Sequence, residues 1–316
     1  MAKSRTVTPR RPQQRVSVAV AAYNEERNIG HLLDSILGQK TDRGTILEVI
    51  VVASGCTDRT HEIVLAKAAA NPLVRLVVQH ARLGKAAAIN AYIRERSPET
   101  DVVLMSSGDV ILQPGFLDLM LAEMEANPKV GMCGGRIVPT NPPTDLMGRV
   151  VRYLWQMHHE VALRAPKMGE AIAIRASLMQ PIPEVSAVDE ASLEATVKHA
   201  GFWLKYVPEA VVVNHGPENM REYLRQRRRI ASGHYWLRAH SGHSVSTMAV
   251  GPLVALALRS LKFTDPASDL SAVTAIAIEA FSRGVGYLDY VRGYSHAIWE
   301  VSPSTRQVEP ADGKQA

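Results

Sequence analysis

The stretch DVVLMSSGDV, residues 101–110, runs through four apolar residues, Val102 to Met105, and ends in two serines, a glycine and one carboxylate, Asp109. A short apolar run bounded by turn formers reads as a strand buried on both faces, the kind found in parallel sheets covered by helices. In open sheets of that type, ligands bind at the carboxyl ends of the strands. Asp109 therefore has two readings. It is a turn residue, because Asp hydrogen-bonds its own downstream backbone, or it is half of a grip on a ligand or metal at a binding edge.

Working outward, the same strand-then-helix pattern recurs. VSVAVAA (16–22) precedes NEERNIGHLLDSILGQ (24–39), where Asn24 is the expected cap and Ile29, Leu32, Leu33 and Ile36 form a stripe at helical spacing. ILEVIVVA (46–53), LVRLVVQ (73–79) and VGMCGGRIVP (130–139) are further strands. Such alternation predicts an α/β fold, a mostly parallel sheet flanked by helices. From about residue 144 the pattern changes to a long helix (144–164), a short strand (169–175), a helix through SLEATVKHA and the strand-like pair LKYV and AVVVNH. Residues 217–240 read as one basic helix, and two more helices are expected before about residue 292. The domain reading is a basic disordered arm over 1–15, the sheet domain over 16–230, a helical C-terminal extension over 231–300 suited to peripheral membrane contact, and a disordered tail over 301–316.

With 46% apolar and 21% charged residues, the 316-residue chain has the composition of a globular protein with a real core. Its net charge of +5 suits phosphate-bearing ligands, an anionic membrane surface or nucleic acid without choosing among them. Two cysteines, Cys56 and Cys133, and an N-terminus lacking the apolar core of a secretory leader predict a cytoplasmic chain, with the inner face of the membrane as an alternative station. The apolar part of 241–258 falls short of the roughly 20 residues that span a bilayer, so no transmembrane helix is expected.

The first strand-to-turn junction, AAYNEERN, holds no G-x-G-x-x-G, which disfavours a dinucleotide fold, and GKAAA (84–88) is not a phosphate loop of the G-x-x-x-x-G-K-[ST] class. Polar groups nevertheless gather at the expected strand ends: Asn24 and Glu25, Ser54 to Asp58, Gly84 and Lys85, and Asp109. Gln226 and Arg229, three apart, share a helical face. His215 follows the last strand-like run and is a metal or phosphate ligand or a strand-end cap. His158 and His159 are adjacent on a helix and point different ways, so a paired metal site there is disfavoured.

Taken in order, VAVAAYNEERNI (18–29), EVIVVASGCTDRT (48–60), GKAAAIN (84–90), SSGDV (106–110), VDEASL (188–193) and QRRRI (226–230) resemble the family 2 glycosyltransferases, nucleotide-sugar-dependent enzymes of the GT-A fold. The resemblance implies an inverting transfer of a sugar from a nucleoside-diphosphate sugar to an acceptor hydroxyl on a glycan, lipid or small molecule. It implies donor contacts from Ala22, Tyr23, Asn24, Glu25, Ser54, Asp58, Lys85, Ser107 and Asp109, and acceptor contacts from Gly169, Glu170 and Arg175. Asp109 matches the last acid of the family's D-x-D metal motif, while Ser107 stands in the place of the first. A divalent cation, magnesium or manganese, would then be held by Asp109 and His215, hard cations taking oxygen ligands and open water positions.

The acceptor-side acids read Asp189-Glu190, the reverse of the family's usual order, which puts Glu190 on the base position with Asp189 beside it. Gln226 and Arg229 match the Gln-x-x-Arg-Trp pattern of the processive synthases that stabilises the leaving group, with Ile230 in place of the Trp. Ala53-Ser54 replaces the acid pair that helps hold the base, so a preference for uridine is not implied. Two other readings compete. The Ser107 and Ala53 departures fit a catalytically degenerate nucleotide- or polyanion-binding protein, and the basic run at 225–229 fits a nucleic-acid face, which its position after the other motifs disfavours.

Overall fold

The structure, a computed structural model, describes residues 13–260, 265–300 and 302–305. Four strands, β1 (Gln14–Ala22), β2 (Gly44–Ser54), β3 (Val74–Gln79) and β4 (Val102–Ser107), lie in the spatial order β3-β2-β1-β4, all parallel. The apolar runs of β1, β2 and β4 carry side chains buried on both faces, as a covered parallel sheet requires, while β3 is the edge strand. The sheet continues through β7 (Ala171–Arg175), antiparallel to β4, then β6 (Val130–Pro139), β8 (Trp203–Asn214) and β5 (Val110–Leu112). The second half is therefore mixed: β6 and β8 are parallel, while β7 against β6 and β5 against β8 are antiparallel.

Helices cover both faces. On one lie α1 (Ile29–Leu37), α2 (Thr60–Ala70) and α4 (Phe116–Ala126), whose Leu32, Ile36, Val64 and Phe116 share a core with Val18 and Leu104. On the other, α3 (Lys85–Glu95) and α6 (Asp189–His199) place Ile89, Tyr92, Leu193 and Val197 against Val103 and Ile172. A third cluster joins α5 (Leu146–Arg164), α7 (Met220–Ser241) and α9 (Pro266–Val291) through Val150, Val151, Tyr223, Ala275 and Ile278. Between α7 and α9 runs α8 (Val250–Ser260). No described helix is long and apolar enough to cross a membrane.

Several boundaries differ from the sequence expectation. The arm expected over 1–15 gives way to strand at Gln14, because Arg15 is fixed by Asp101 through its backbone N–H at 2.9 Å and its guanidinium at 3.0 Å; residues 1–12 lie outside the described part. The α1 helix starts at Ile29 rather than near Asn24, whose φ of 55° places it in a left-handed turn that Asn tolerates. LKYV and AVVVNH are one strand with a register shift opposite Gly135 and Arg136. Within the tail expected over 301–316, residues 302–305 are built in: Pro303–Thr305 form a 3-10 turn with Thr305 buried, and the Ser304 hydroxyl donates to Glu222. Residues 301 and 306–316 lie outside the described part.

Candidate active site

The carboxyl ends of β1, β2 and β4 open onto a cavity of about 900 Å³. Its polar end is organised by Lys85, the first residue of α3. The Lys85 ammonium lies 2.6 Å from Asp189 Oδ2 and 2.6 Å from Glu190 Oε1, and donates to Ser107 Oγ at 3.0 Å. Burial opposes its charge, but Asp189, Glu190 and Glu170 outweigh burial and raise its pKa, so it stays protonated. Burial and the charge of Asp189 push the Glu190 carboxyl above the ordinary carboxylate range, and Lys85 pulls the other way. Both acids sit in the first turn of α6, where the helix dipole also favours the ionised form.

Opposite stand Asp109, in the turn between β4 and β5, and Glu170, next to β7. That turn approaches β1 closely: a Cβ on Gly108 would lie 2.8 Å from Glu25 Cγ. The Glu170 carboxyl is pushed up to about 7, first by burial and then by the charge of Asp109. The carboxylate of Asp109 and the hydroxyl of Ser107 are oxygen donors of the kind a divalent cation takes together with diphosphate oxygens. Among the described residues no three His, Cys, Asp or Glu side chains gather as a self-sufficient metal cluster.

From α7, Gln226 and Arg229 reach the same cavity. Arg229 donates to the Ala187 carbonyl at 2.9 Å and its guanidinium lies 4.0 Å from the Trp299 ring centroid; burial lowers its pKa. Trp299 belongs to a C-terminal strap that crosses the mouth beside α3. Its carbonyl accepts from Arg82, whose guanidinium in turn covers the Tyr23 ring at 3.9 Å, and Glu300 pairs with Arg225 at 2.7 Å. Close packing of the strap depends on Gly84, where φ is +91° and a Cβ would come within 2.5 Å of the Ala297 carbonyl oxygen.

Of the expected donor residues, Ala22, Tyr23, Glu25, Ser54, Lys85, Ser107 and Asp109 line this cavity, as do Asp189, Glu190, Gln226, Arg229, Gly169, Glu170 and His215. Three residues fall elsewhere. Arg175 lies at the far end of β7, outside the cavity lining, where its guanidinium donates to the carbonyls of Val130 at 2.8 Å and Met124 at 2.9 Å and so ties β7 to β6 and α4. Asn24 and Asp58 brace the neighbouring loops instead of the cavity. Asn24 Oδ1 accepts from the Thr57 N–H at 2.7 Å, and Asp58 accepts from the N–H groups of Glu26 and Thr60, both at 3.0 Å. His215 lines the wall, where Nδ1 hydrogen-bonds with Thr140 at 2.7 Å and Nε2 with Glu218 at 3.0 Å. Sequence reasoning missed Arg82 and Trp299, whose places depend on contacts more than 200 residues apart in the chain.

A mixed sheet with its polar cluster at the strand ends, two helical layers and a helical C-terminal region is the GT-A glycosyltransferase architecture. The chain belongs to Glycosyl transferase family 2, whose model matches residues 17–176, just over half of its length. It is similar in structure to the mannosyltransferase PcManGT from Pyrobaculum calidifontis, in complex with GDP-Man and Mn2+, with a TM-score of 0.64 and 22% identity over 90% of this chain and 89% of that one. A glucosyl-3-phosphoglycerate synthase from Mycobacterium tuberculosis, in complex with Mn2+, UDP-glucose and phosphoglyceric acid, follows at a TM-score of 0.50 and 20% identity, covering 72% and 80% of the two chains. Among curated proteins it is 23% identical over 237 residues to the probable glycosyltransferase YdaM of Bacillus subtilis, and 27% identical over 237 residues to an N-acetylglucosaminyltransferase of Sinorhizobium fredii. These matches cover 71% and 68% of this chain and 56% of each relative, so the chain spans about half the length of the curated relatives it matches.

Proposed function

We propose that the protein is an inverting glycosyltransferase that moves a sugar from a nucleoside-diphosphate sugar to an acceptor hydroxyl. The observation that carries this reading is the Lys85–Glu190 pair, 2.6 Å apart at the strand ends, facing Asp109 and Arg229 across one cavity. The acceptor oxygen attacks the anomeric carbon from the side opposite the leaving diphosphate. Glu190 takes the hydroxyl proton as the C–O bond to the diphosphate breaks, and Lys85 keeps Glu190 ionised until it does so. A positioned base of this kind contributes roughly a hundred- to ten-thousand-fold. With Glu190 as base, one direct displacement with inversion needs no enzyme nucleophile and is the simplest course.

The departing diphosphate meets Arg229, whose planar fork matches phosphate oxygens, with Gln226 as a neutral donor on the same face. A bound divalent cation would supply charge compensation on the diphosphate, held by Asp109 with Ser107 beside it. The relation to the Gln-x-x-Arg-Trp synthases is part of the proposal and rests on Gln226 and Arg229 alone, Ile230 standing where the Trp would be. Uridine and guanosine donors are both candidates, because the similar structures hold GDP-Man and UDP-glucose and Ala53-Ser54 stands where the family's base-holding acids would be.

The test is a thermal-shift and donor-hydrolysis screen against uridine and guanosine diphosphate sugars, with and without manganese or magnesium, repeated on Asp109→Ala. Stabilisation by one donor that grows with metal and is lost in Asp109→Ala is expected. Stabilisation with no hydrolysis or transfer under any condition would instead favour a degenerate nucleotide-binding protein.

A further inference from the structure

The cavity does not end at the polar cluster. Beyond Arg229 it continues between α5, α7, α8 and α9, where Leu154, Trp155, Leu253, Ala257, Ala275 and Ala280 form its walls. The charged groups that α7 and α9 bring to this arm are tied to one another. Arg227 makes two hydrogen bonds to Glu279, at 2.8 and 3.0 Å, and Arg283 closes on the same carboxylate at 2.9 Å. Burial, reinforced by Lys167 and Arg227, brings the His158 pKa down to about 3, so its ring is neutral. A nucleoside-diphosphate sugar is polar or charged along its whole length and has no use for such walls.

The arm also has an apolar mouth. Val254 of α8 and Ile276 of α9 both line the cavity, yet they are 50% and 39% exposed. Outside them the apolar surface continues through Leu258, Leu270 and Val273, each more than half exposed. Apolar side chains therefore line a path from the outer face, between α8 and α9, toward the polar cluster, past the paired Arg227, Glu279 and Arg283. A lumen walled this way gains free energy when water in it is replaced by hydrocarbon.

We infer that this arm holds the hydrocarbon tail of an amphiphilic acceptor, a single-chain lipid whose terminal oxygen reaches Glu190 while its tail leaves between α8 and α9. The inference deepens the glycosyltransferase reading and rests on it. Of the acceptor classes, glycan, lipid and small molecule, the walls select the lipid.

The probes are butyl, hexyl and octyl β-glucoside, titrated calorimetrically below their critical micelle concentrations into the full chain. Each methylene buried in the arm should lower Kd about fourfold. Ile276→Glu, at an exposed position, should abolish that dependence on chain length while leaving the thermal shift by nucleotide sugar intact. Leu288→Glu, on exposed surface away from the cavity, should keep it. A Kd independent of chain length overturns the proposal. A dependence that survives Ile276→Glu and disappears in Leu288→Glu also overturns it, because the chains would then adsorb to the outer face. If nucleotide sugars fail to stabilise the protein at all, the glycosyltransferase reading falls separately, whatever the glucosides do.

Discussion

Lys85 and Glu190, 105 residues apart in sequence, meet at 2.6 Å, with the ammonium at the start of α3 and the carboxylate in the first turn of α6. The pair ties the start of α3 to the start of α6. In the proposed transfer it also sets the protonation state of the base.

That coupling predicts a pH profile. In the proposed transfer Glu190 acts in its ionised form, and burial with the charge of Asp189 raises its pKa, so kcat/KM should fall as pH drops through a midpoint above the ordinary carboxylate value. Lys85 lowers that pKa. Lys85→Met should therefore move the acid limb to higher pH, and a pH series of kcat/KM for both proteins reads the shift. An acid limb that stays in place in Lys85→Met would show that the ammonium does not control the base.

Arg229 offers a test of shape against charge. Its guanidinium donates to the Ala187 carbonyl and stacks on Trp299, and a lysine could keep the charge but neither the fork nor the flat face. Arg229→Lys should lower kcat by at least about tenfold, the loss of one charge-assisted hydrogen bond to the leaving group. Thermal stability should change little by comparison. Steady-state kinetics beside a melting curve separates the two effects.

Glu279 predicts a stability effect with a definite sign. Burial would raise its pKa, but Arg227 and Arg283 outweigh burial and bring it down to about 2. A carboxylate depressed in the folded state stabilises the fold above its ordinary value of 4.5, and that contribution is lost as pH falls from there through about 2. Glu279→Gln should cost about 3 kcal/mol at neutral pH, leaving two arginines without their partner. Urea unfolding at a series of pH values should show the gap between wild type and variant closing in that acid window.

Much of this was legible in the sequence because it is local. Alternating apolar runs and helical stripes mark β1 through α4, and acids or lysine at strand exits mark Lys85, Asp109, Asp189 and Glu190 as candidates. What was not legible has a common physical source. Asn24, Asp58 and Arg175 are polar residues near the right motifs, and nothing local says whether a side chain turns toward the cavity or spends its hydrogen bonds on a neighbouring loop, strand or helix. Asp58 spends both oxygens bracing Glu26 and Thr60, and Arg175 spends its guanidinium on the carbonyls of Val130 and Met124. The antiparallel insertion of β7 and the strap carrying Trp299 were hidden for a related reason. Both are defined by partners far away in the chain: the strand over 169–175 is expected from its residues but its antiparallel place beside β4 is not, and a loop with one tryptophan has no periodicity to announce it.

The central claim, that Glu190 is the base of a sugar transfer, is tested most directly by single-turnover transfer from the donor that stabilises the protein, comparing wild type with Glu190→Gln at saturating donor. The account predicts a rate lowered by roughly a hundred- to ten-thousand-fold with donor affinity retained. A variant that transfers sugar at the wild-type rate would contradict it and pass the role to Asp189, which shares Lys85 at the same 2.6 Å.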